Sequence, residues 1–298
     1  MPTSTADAPS PWTIQKLIGW AAGYLKKHGV DSPRLSAEVL LATALGASRI
    51  DLYVNYAKPL EDAELKNFKQ LLLRRARREP LAYITGVKEF WSMELRVTPA
   101  VLIPRPETEC LVEAALAMMA QRLRPGPGRI LELGTGSGAV VIALATEQPQ
   151  HQFTATDVSP AAVQVASENA RRHGADSRID FICADGFEAI TPGGRPFDFI
   201  VSNPPYIRSG DLPHLAPEIT EHEPHLALDG TESGLAIIHL IIERAPSFLK
   251  PGGRLLMEIG YDQGSDVRRI GAAADAYADI ALRRDLNGHT RVAVFTKK

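Results

Sequence analysis

Cysteine is nearly missing from this chain: Cys110 and Cys183 are the only two among 298 residues. They stand far apart without ligand-like spacing, which excludes a disulfide framework and predicts two buried free thiols in a reducing compartment. The eight histidines show no zinc-like spacing either, so no metal is expected. Long apolar runs are absent as well. The longest, Leu235 to Ile242, carries His239 and falls well short of the ~18–20 residues that span a bilayer. Met1 to Pro11 is polar and lacks the charged start and apolar run of a signal peptide. These absences predict a cytoplasmic protein with no membrane partner. There is also no excess of positive charge: the formal net charge is −2 and the pI about 6.5. That excludes a surface built as a whole for nucleic acid, while leaving a local basic patch open.

What is present is an ordinary globular composition, 45% hydrophobic and 23% charged. The length suits one large domain with a smaller one beside it. From Trp12 to about Arg78 the pattern is helical. Ile14, Leu17, Ile18, Ala21 and Leu25 recur at three- and four-residue spacings and mark a buried face. Asp31-Ser32-Pro33 reads as a capped start with proline in the first turn, for a helix that stops near Gly46. A third helix is expected from Asp62 to Arg78. Between Thr85 and Ile103 the period changes to that of short strands or a hairpin, followed by a helix from about Pro106 to Leu123 and the turn-rich Pro125 to Gly128.

From Arg129 onward strands and helices alternate. Strands are expected at Ile130–Leu133, Phe153–Thr156, Ile179–Cys183, Phe197–Ser202 and Arg254–Ile259. Helices are expected at Ala139–Thr146, Ala161–His173 and near Gly234–Leu249. The alternation predicts an α/β fold, a mostly parallel sheet wrapped by helices. A closing antiparallel pair is expected around Asn287-Gly288, from Ile280–Arg283 and Val292–Thr296.

Two loops carry the chemistry. Gly134-Thr135-Gly136-Ser137-Gly138 leaves one strand and enters a helix, with Asp157 at the end of the next strand. Glycines let backbone approach a ligand, and the carboxylate is placed to accept from two ribose hydroxyls. The spacing is G-x-G-x-G, not the G-x-G-x-x-G that receives a pyrophosphate. It suits S-adenosylmethionine, a nucleoside ligand without phosphate. Asp185 and Gly186, with Phe187, follow the third strand, where a carboxylate and an apolar ring would meet the adenine.

The second loop is Ser202-Asn203-Pro204-Pro205-Tyr206, after the fourth strand. Two prolines stiffen it and remove two N–H donors. The Asn203 side-chain oxygen and the Pro204 carbonyl are thereby offered to both hydrogens of a planar NH₂ group. Tyr206 is offered as a stacking surface with an electron-rich face for the sulfonium. Gripping both hydrogens aims a poorly nucleophilic amide nitrogen at a methyl group, so catalysis is mostly positioning and desolvation.

With these residues in view, the chain resembles the HemK-type release-factor glutamine methyltransferases, the PrmC family, over nearly its whole length. Arg78 to Gly86 with Glu89-Phe90 is similar to the family's interdomain segment, and Leu102 to Glu109 to its proline–arginine–acidic motif. Asn203 to Tyr206 is similar to the acceptor motif; Glu223-Pro224, Ala227-Leu228, Gly230 and Gly234-Leu235 are similar to the loop that follows it. The resemblance implies a class I S-adenosylmethionine-dependent methyltransferase with a Rossmann-like sheet at 105–298. A helical substrate-binding domain at 1–85 and a hairpin connector at 86–104 precede it.

The resemblance further implies that Gly134, Thr135, Gly136, Ser137, Gly138, Asp157, Asp185, Gly186 and Asn203 hold the cofactor, which leaves as S-adenosylhomocysteine. Asn203, Pro204, Pro205 and Tyr206 would hold the glutamine of a Gly-Gly-Gln loop in class I peptide-chain release factors. Asn203, Pro204 and Tyr206 are the expected catalytic residues for N5 methylation in support of translation termination. One departure is Gly186, where the family often carries an aromatic residue that Phe187 would replace.

Some features stay open at this level. Arg74, Arg75, Arg77 and Arg78, with Lys66 and Lys69, read as a solvated helix face or as a basic contact surface. Glu107 and Glu109 read as lining the site entrance or as helix-start carboxylates, with Arg105 as their partner. Two rivals remain: an amino methyltransferase of nucleic acid, acting on adenine N6 or guanine N2, since Asn-Pro-Pro-Tyr grips a base amine equally well, and a non-catalytic binding scaffold. The slightly acidic charge and the lack of a recognisable nucleic-acid-binding motif weigh against stable nucleic-acid binding.

Overall fold

A computed structural model of the protein describes residues 11–122 and 127–298. The readings on residues 1–10 and 123–126 lie outside this range, including most of the polar N-terminal stretch, Leu123 and Pro125-Gly126. The chain forms two compact units, Met1–Gly86 and Val87–Lys298.

The first unit is helical: α1 (Ile14–Lys27), α2 (Pro33–Leu45), α3 (Arg49–Val54), α4 (Asp62–Ala76) and α5 (Leu81–Thr85). The face of α1 expected to be buried is buried, and it packs with Leu40 and Leu41 of α2 and Phe68 of α4. Ser32 is not the cap that was expected. It adopts a left-handed conformation at φ 47° and its side chain makes no cap bond, so Pro33 alone opens α2. The short α3 escaped detection because six residues show no period, although a Ser48–Asp51 capping box marks its start. Within this core Glu38 is buried and accepts from Arg34 Nε (3.0 Å), Arg49 Nη2 (2.8 Å) and the Tyr53 hydroxyl (2.6 Å). Part of the basic stretch is also used internally. Arg74 pairs with Glu79, and buried Arg75 donates to the Glu79 carbonyl at 3.0 Å.

The second unit opens with the hairpin β1 (Val87–Phe90) and β2 (Met93–Arg96), then α6 (Glu109–Arg122). The hairpin segment expected as a connector at 86–104 lies, from Val87 on, within this unit. Phe90 and Leu95 are buried in one core with residues such as Leu111 of α6 and Val141. There follow β3 (Arg129–Leu133), α7 (Ala139–Glu147), β4 (Gln152–Asp157), α8 (Pro160–Arg172), β5 (Ile179–Cys183) and β6 (Phe197–Ser202). The chain closes with α9 (Pro217–Thr220), α10 (Ala236–Arg244), β7 (Leu249–Glu258), α11 (Gly264–Ala273), β8 (Tyr277–Arg284) and β9 (Thr290–Lys297).

Among the described residues the strands form a seven-stranded sheet in the order β5-β4-β3-β6-β7-β9-β8. The first five in that order run parallel, and β9 and β8 close it antiparallel. The expected α/β sheet and its closing pair are therefore present. Winding runs outward from β3 to β5 and then reverses to β6 on β3's other side. Such a reversal opens a crevice at the carboxyl ends of the two neighbours, here Leu133 and Ser202.

Candidate active site

Both loops singled out in the sequence leave the sheet at that crevice. Gly134 to Gly138 joins β3 to α7, Asp157 ends β4, and Asp185-Gly186 follows β5. Asn203 to Tyr206 follows β6, and Ser202 Oγ donates to the Leu133 carbonyl at 2.9 Å, tying the two strand ends together.

The glycine loop is held open by its surroundings. Gly134 and Gly136 have φ of 70° and 54°, and a side-chain carbon added at either would meet nothing within 4 Å. Their outer faces are free for a ligand to approach the backbone. Gly134 and Thr135 donate their N–H groups to the Thr156 carbonyl at 2.9 and 3.0 Å. The Thr156 hydroxyl in turn donates to the Gly186 carbonyl at 3.1 Å, which links this loop to the one after β5.

Asp157 does more than its sequence position suggested. One carboxylate oxygen accepts from Gly136 N–H at 2.8 Å and the other from Ser159 N–H at 2.9 Å. Each oxygen keeps a second lone pair for a ligand. Beneath the loop, buried Glu132 accepts from the Thr135 hydroxyl at 2.5 Å. Burial pushes its carboxyl up to about 8, and the nearby charge of Asp157 adds to the rise.

Asn169, fully buried on α8, braces the loop from the other side. Its Nδ2 donates to the Ser137 carbonyl and to the Arg96 carbonyl, each at 2.9 Å, and its Oδ1 accepts from Arg96 N–H at 2.8 Å. The hairpin and the glycine loop are thereby tied through one side chain.

Phe187 does not serve as the expected ring beside the adenine. It is 1% exposed and stacks on Phe248 with centroids 4.5 Å apart. The ring turns inward because the apolar core against α10 is a better place for it than solvent. Asp185 is exposed.

The acceptor loop is clamped by different means. Buried Gln263, in the turn before α11, donates through Nε2 to the carbonyls of Tyr206 and Gly234, both at 3.0 Å. A side-chain carbon on Gly234 would lie 2.5 Å from the Tyr206 carbonyl oxygen, and one on Gly230 would lie 2.8 Å from the Tyr206 Cα. Only glycine allows the two segments to approach this closely. Asn203 Nδ2 donates to the buried Thr108 hydroxyl at 3.2 Å, leaving Oδ1 as the atom it offers. The Tyr206 hydroxyl donates to Glu258 Oε1 at 3.0 Å. Burial pushes the Tyr206 phenol above its ordinary range.

Asn203, Pro204, Tyr206 and Glu258 share a cavity of about 110 Å³ with Leu102, Arg105 and the apolar side chains of Leu215, Ile219 and Leu228. Arg105 pairs with buried Glu223 at 2.5 Å, not with Glu107 or Glu109. Glu223 also accepts from Ile103 N–H at 3.1 Å, while Glu109 accepts from Trp91 N–H at 2.9 Å. The Arg105–Glu223 contact spans a long stretch of chain and could not be seen in local spacing. A larger hollow of about 520 Å³ surrounds the start of α11, lined by Tyr261, Arg268 and Arg284, and holds none of the residues expected from the sequence.

Both cysteines are free, as expected, but neither is buried: Cys110 is half-buried and Cys183 exposed. Among the described residues no helix is long and apolar enough to cross a membrane.

The chain matches the family model described as PrmC N-terminal domain over residues 16–86 and the one described as methyltransferase small domain over residues 111–226. It is 44% identical to a release factor glutamine methyltransferase of Geobacter sulfurreducens, over 96% of this chain and 97% of that protein. It is 45% identical to a protein of the same name from Salmonella typhimurium, over 88% of this chain and 91% of that one. Among solved structures it is similar to a methyltransferase from Pyrococcus furiosus. That likeness has a TM-score of 0.51 at 19% identity, covers 76% of this chain and 98% of that one, and bears on the fold alone.

Proposed function

The chain belongs to the release factor glutamine methyltransferase family, and from that premise we propose that it methylates the side-chain amide nitrogen, N5, of the glutamine in the Gly-Gly-Gln loop of class I release factors. S-adenosylmethionine, when bound, supplies a methyl group made electrophilic by its sulfonium. The residues that would hold it are Gly134, Thr135, Gly136, Ser137, Gly138, Asp157, Asp185 and Gly186, with Asn203 at the boundary of the two sites. The open faces of Gly134 and Gly136 and the remaining lone pairs of Asp157 fit a nucleoside with an amino-acid moiety.

The observation that carries the acceptor assignment is the orientation of Asn203. With Nδ2 committed to Thr108, Oδ1 accepts one amide hydrogen while the Pro204 carbonyl accepts the other. Pro205 stiffens the loop, and Tyr206 forms a wall of the cavity against the flat amide. Holding both hydrogens fixes the plane of the amide and turns the nitrogen toward the incoming carbon, and apolar walls exclude water.

The cavity of about 110 Å³ is well below the roughly 300–1,000 Å³ of pockets for drug-sized ligands, and suits an acceptor inserted as one side chain. The internal use of Arg74 and Arg75 takes two arginines of the basic stretch away from a nucleic-acid surface there. The N-terminal helical unit is the proposed grip on the protein substrate, and the reaction supports translation termination in the cytoplasm, with no stable nucleic-acid complex.

The test is transfer of a labelled methyl group from S-adenosylmethionine to a purified bacterial release factor. A release factor with alanine in place of the Gly-Gly-Gln glutamine, a DNA sample and a ribosomal RNA sample run beside it. Label on the intact release factor alone is expected. Label on a nucleic acid, or on the alanine variant, would overturn the assignment.

A further inference from the structure

The Tyr206 partner, Glu258, carries a feature that positioning a phenol does not require. It ends β7 at the carboxyl edge of the sheet, is 1% exposed, and lines the cavity that holds Asn203, Pro204 and Tyr206. Oε1 accepts from the Tyr206 hydroxyl. Oε2 is buried and no group lies within hydrogen-bond distance of it among the described residues, the Thr108 hydroxyl acting on the carboxylate only from longer range. A carboxylate oxygen left unpaired in a dry site is unfavourable, and functional sites are where such groups persist.

The reaction supplies a use for it. A primary amide carries two hydrogens on nitrogen and its N-methyl product carries one, so one proton must leave. We propose that Glu258 Oε2 takes that proton, on the reading that the acceptor is the glutamine amide held by Asn203 and Pro204. The nitrogen lone pair forms the new bond to the methyl carbon, and the carbon–sulfur pair stays on sulfur. Once the nitrogen carries the methyl group, one N–H leaves the oxygen that held it, Asn203 Oδ1 or the Pro204 carbonyl; its electron pair returns to nitrogen and its proton passes to the Glu258 carboxylate, which becomes a neutral acid. Solvent takes the proton once the product leaves.

The groups that act on Glu258 come from several elements. The Tyr206 and Thr108 hydroxyls and Arg291 of β9 favour its charged form, and Glu107, just before α6, opposes it. Cys110 on α6 is also near enough to feel its charge. Burial outweighs the favourable contacts and holds the carboxyl above its ordinary range. Proton acceptance therefore has an acid limb: the single-turnover rate rises with pH as Glu258 ionises.

The experiment compares wild type, Glu258→Gln and Tyr206→Phe. Glutamine keeps the volume and an acceptor for the Tyr206 hydroxyl but is not basic. Expected for Glu258→Gln are an unchanged melting temperature and affinities for S-adenosylmethionine and release factor within about twofold by calorimetry. Its single-turnover rate falls by about 100-fold or more, and the acid limb disappears. Tyr206→Phe removes a donor to the carboxylate, so its acid limb moves to higher pH.

A titrating carboxyl band in the infrared spectrum, present in wild type and missing from Glu258→Gln, reports the same group without turnover. A Glu258→Gln rate within about threefold of wild type, or with its acid limb intact, overturns the assignment. Should Glu258→Gln fail to fold, an acid limb unmoved by Tyr206→Phe overturns it. Wild-type transfer to the release factor in the same assay keeps the failure of this inference separate from a failure of the substrate assignment.

Discussion

The two loops that meet at the reversal of the sheet are built on opposite plans. The loop after β3 offers mainly backbone: its glycines are open outward, and Asp157, Thr156 and Asn169 hold its N–H and C=O groups from behind. The loop after β6 offers mainly side chains. Its prolines supply rigidity, Gln263 and two glycines pin it at Tyr206, and Asn203, Tyr206 and Glu258 face a shared cavity. Backbone presentation suits a cofactor that is the same in every turnover. Side-chain presentation suits an acceptor whose two amide hydrogens must be told apart from other groups. Binding of the donor and reactivity of the acceptor should therefore be separable by mutation.

The sharpest separation is expected from Asn203→Ala. Loss of one of two acceptors that orient the amide should lower the single-turnover rate by about 10²–10³-fold, the range seen when one preorganised hydrogen-bonding group is removed from an active site. Affinity for S-adenosylmethionine, measured by calorimetry, should stay within about twofold. Equal loss of both would break the comparison.

Asp157→Ala should do the reverse. Removing the carboxylate that holds Gly136 and Ser159 should weaken cofactor binding about 10–100-fold, equivalent to about 1.5–3 kcal/mol, with the rate largely restored at saturating cofactor. A rate that stays low at saturation would tie the two loops together.

Asn169→Ala strikes the brace behind the glycine loop. It strands two carbonyls and an N–H group and should cost about 1–3 kcal/mol in stability by urea denaturation, with a modest loss of cofactor affinity. Unchanged stability would show that the brace is not needed.

Glu132→Gln should act only through pH. In the fold the carboxyl holds its proton to about 8 against an ordinary 4.5. As pH rises above 4.5 the unfolded chain releases its proton while the fold retains it, so this contribution to stability falls until pH reaches about 8. A neutral glutamine removes that slope, and the variant's stability should decline less than that of wild type across the same window. Parallel profiles would contradict the assignment of a neutral Glu132.

Much of this frame is legible in the amino-acid sequence. The buried face of α1, the alternation from Arg129 onward, the glycine loop and the Asn203 loop are all written in local spacing. What was not legible is long-range. Asn169 braces Ser137 and Arg96 across 32 and 73 residues, Gln263 holds Tyr206 across 57, and Glu258 meets Tyr206 across 52. No periodicity reports such pairs. Phe187 looked like a ligand-facing ring because its loop lies at the site, but packing on Phe248 turned it into the core. The helix α11 was missed because its buried stripe consists of little more than Val267, Ile270 and two glycines. Arg105 was given to the acidic residues beside it in sequence, while the fold gives it to Glu223.

The central claim, that this chain methylates one glutamine amide gripped by Asn203 and Pro204, is tested most directly by mass spectrometry of a release factor after reaction with wild type and with Asn203→Ala. The account predicts a single added methyl group on the side-chain nitrogen of the Gly-Gly-Gln glutamine with wild type, and essentially none with the variant. A methyl group on another residue, or the same modification at undiminished rate with Asn203→Ala, would contradict it.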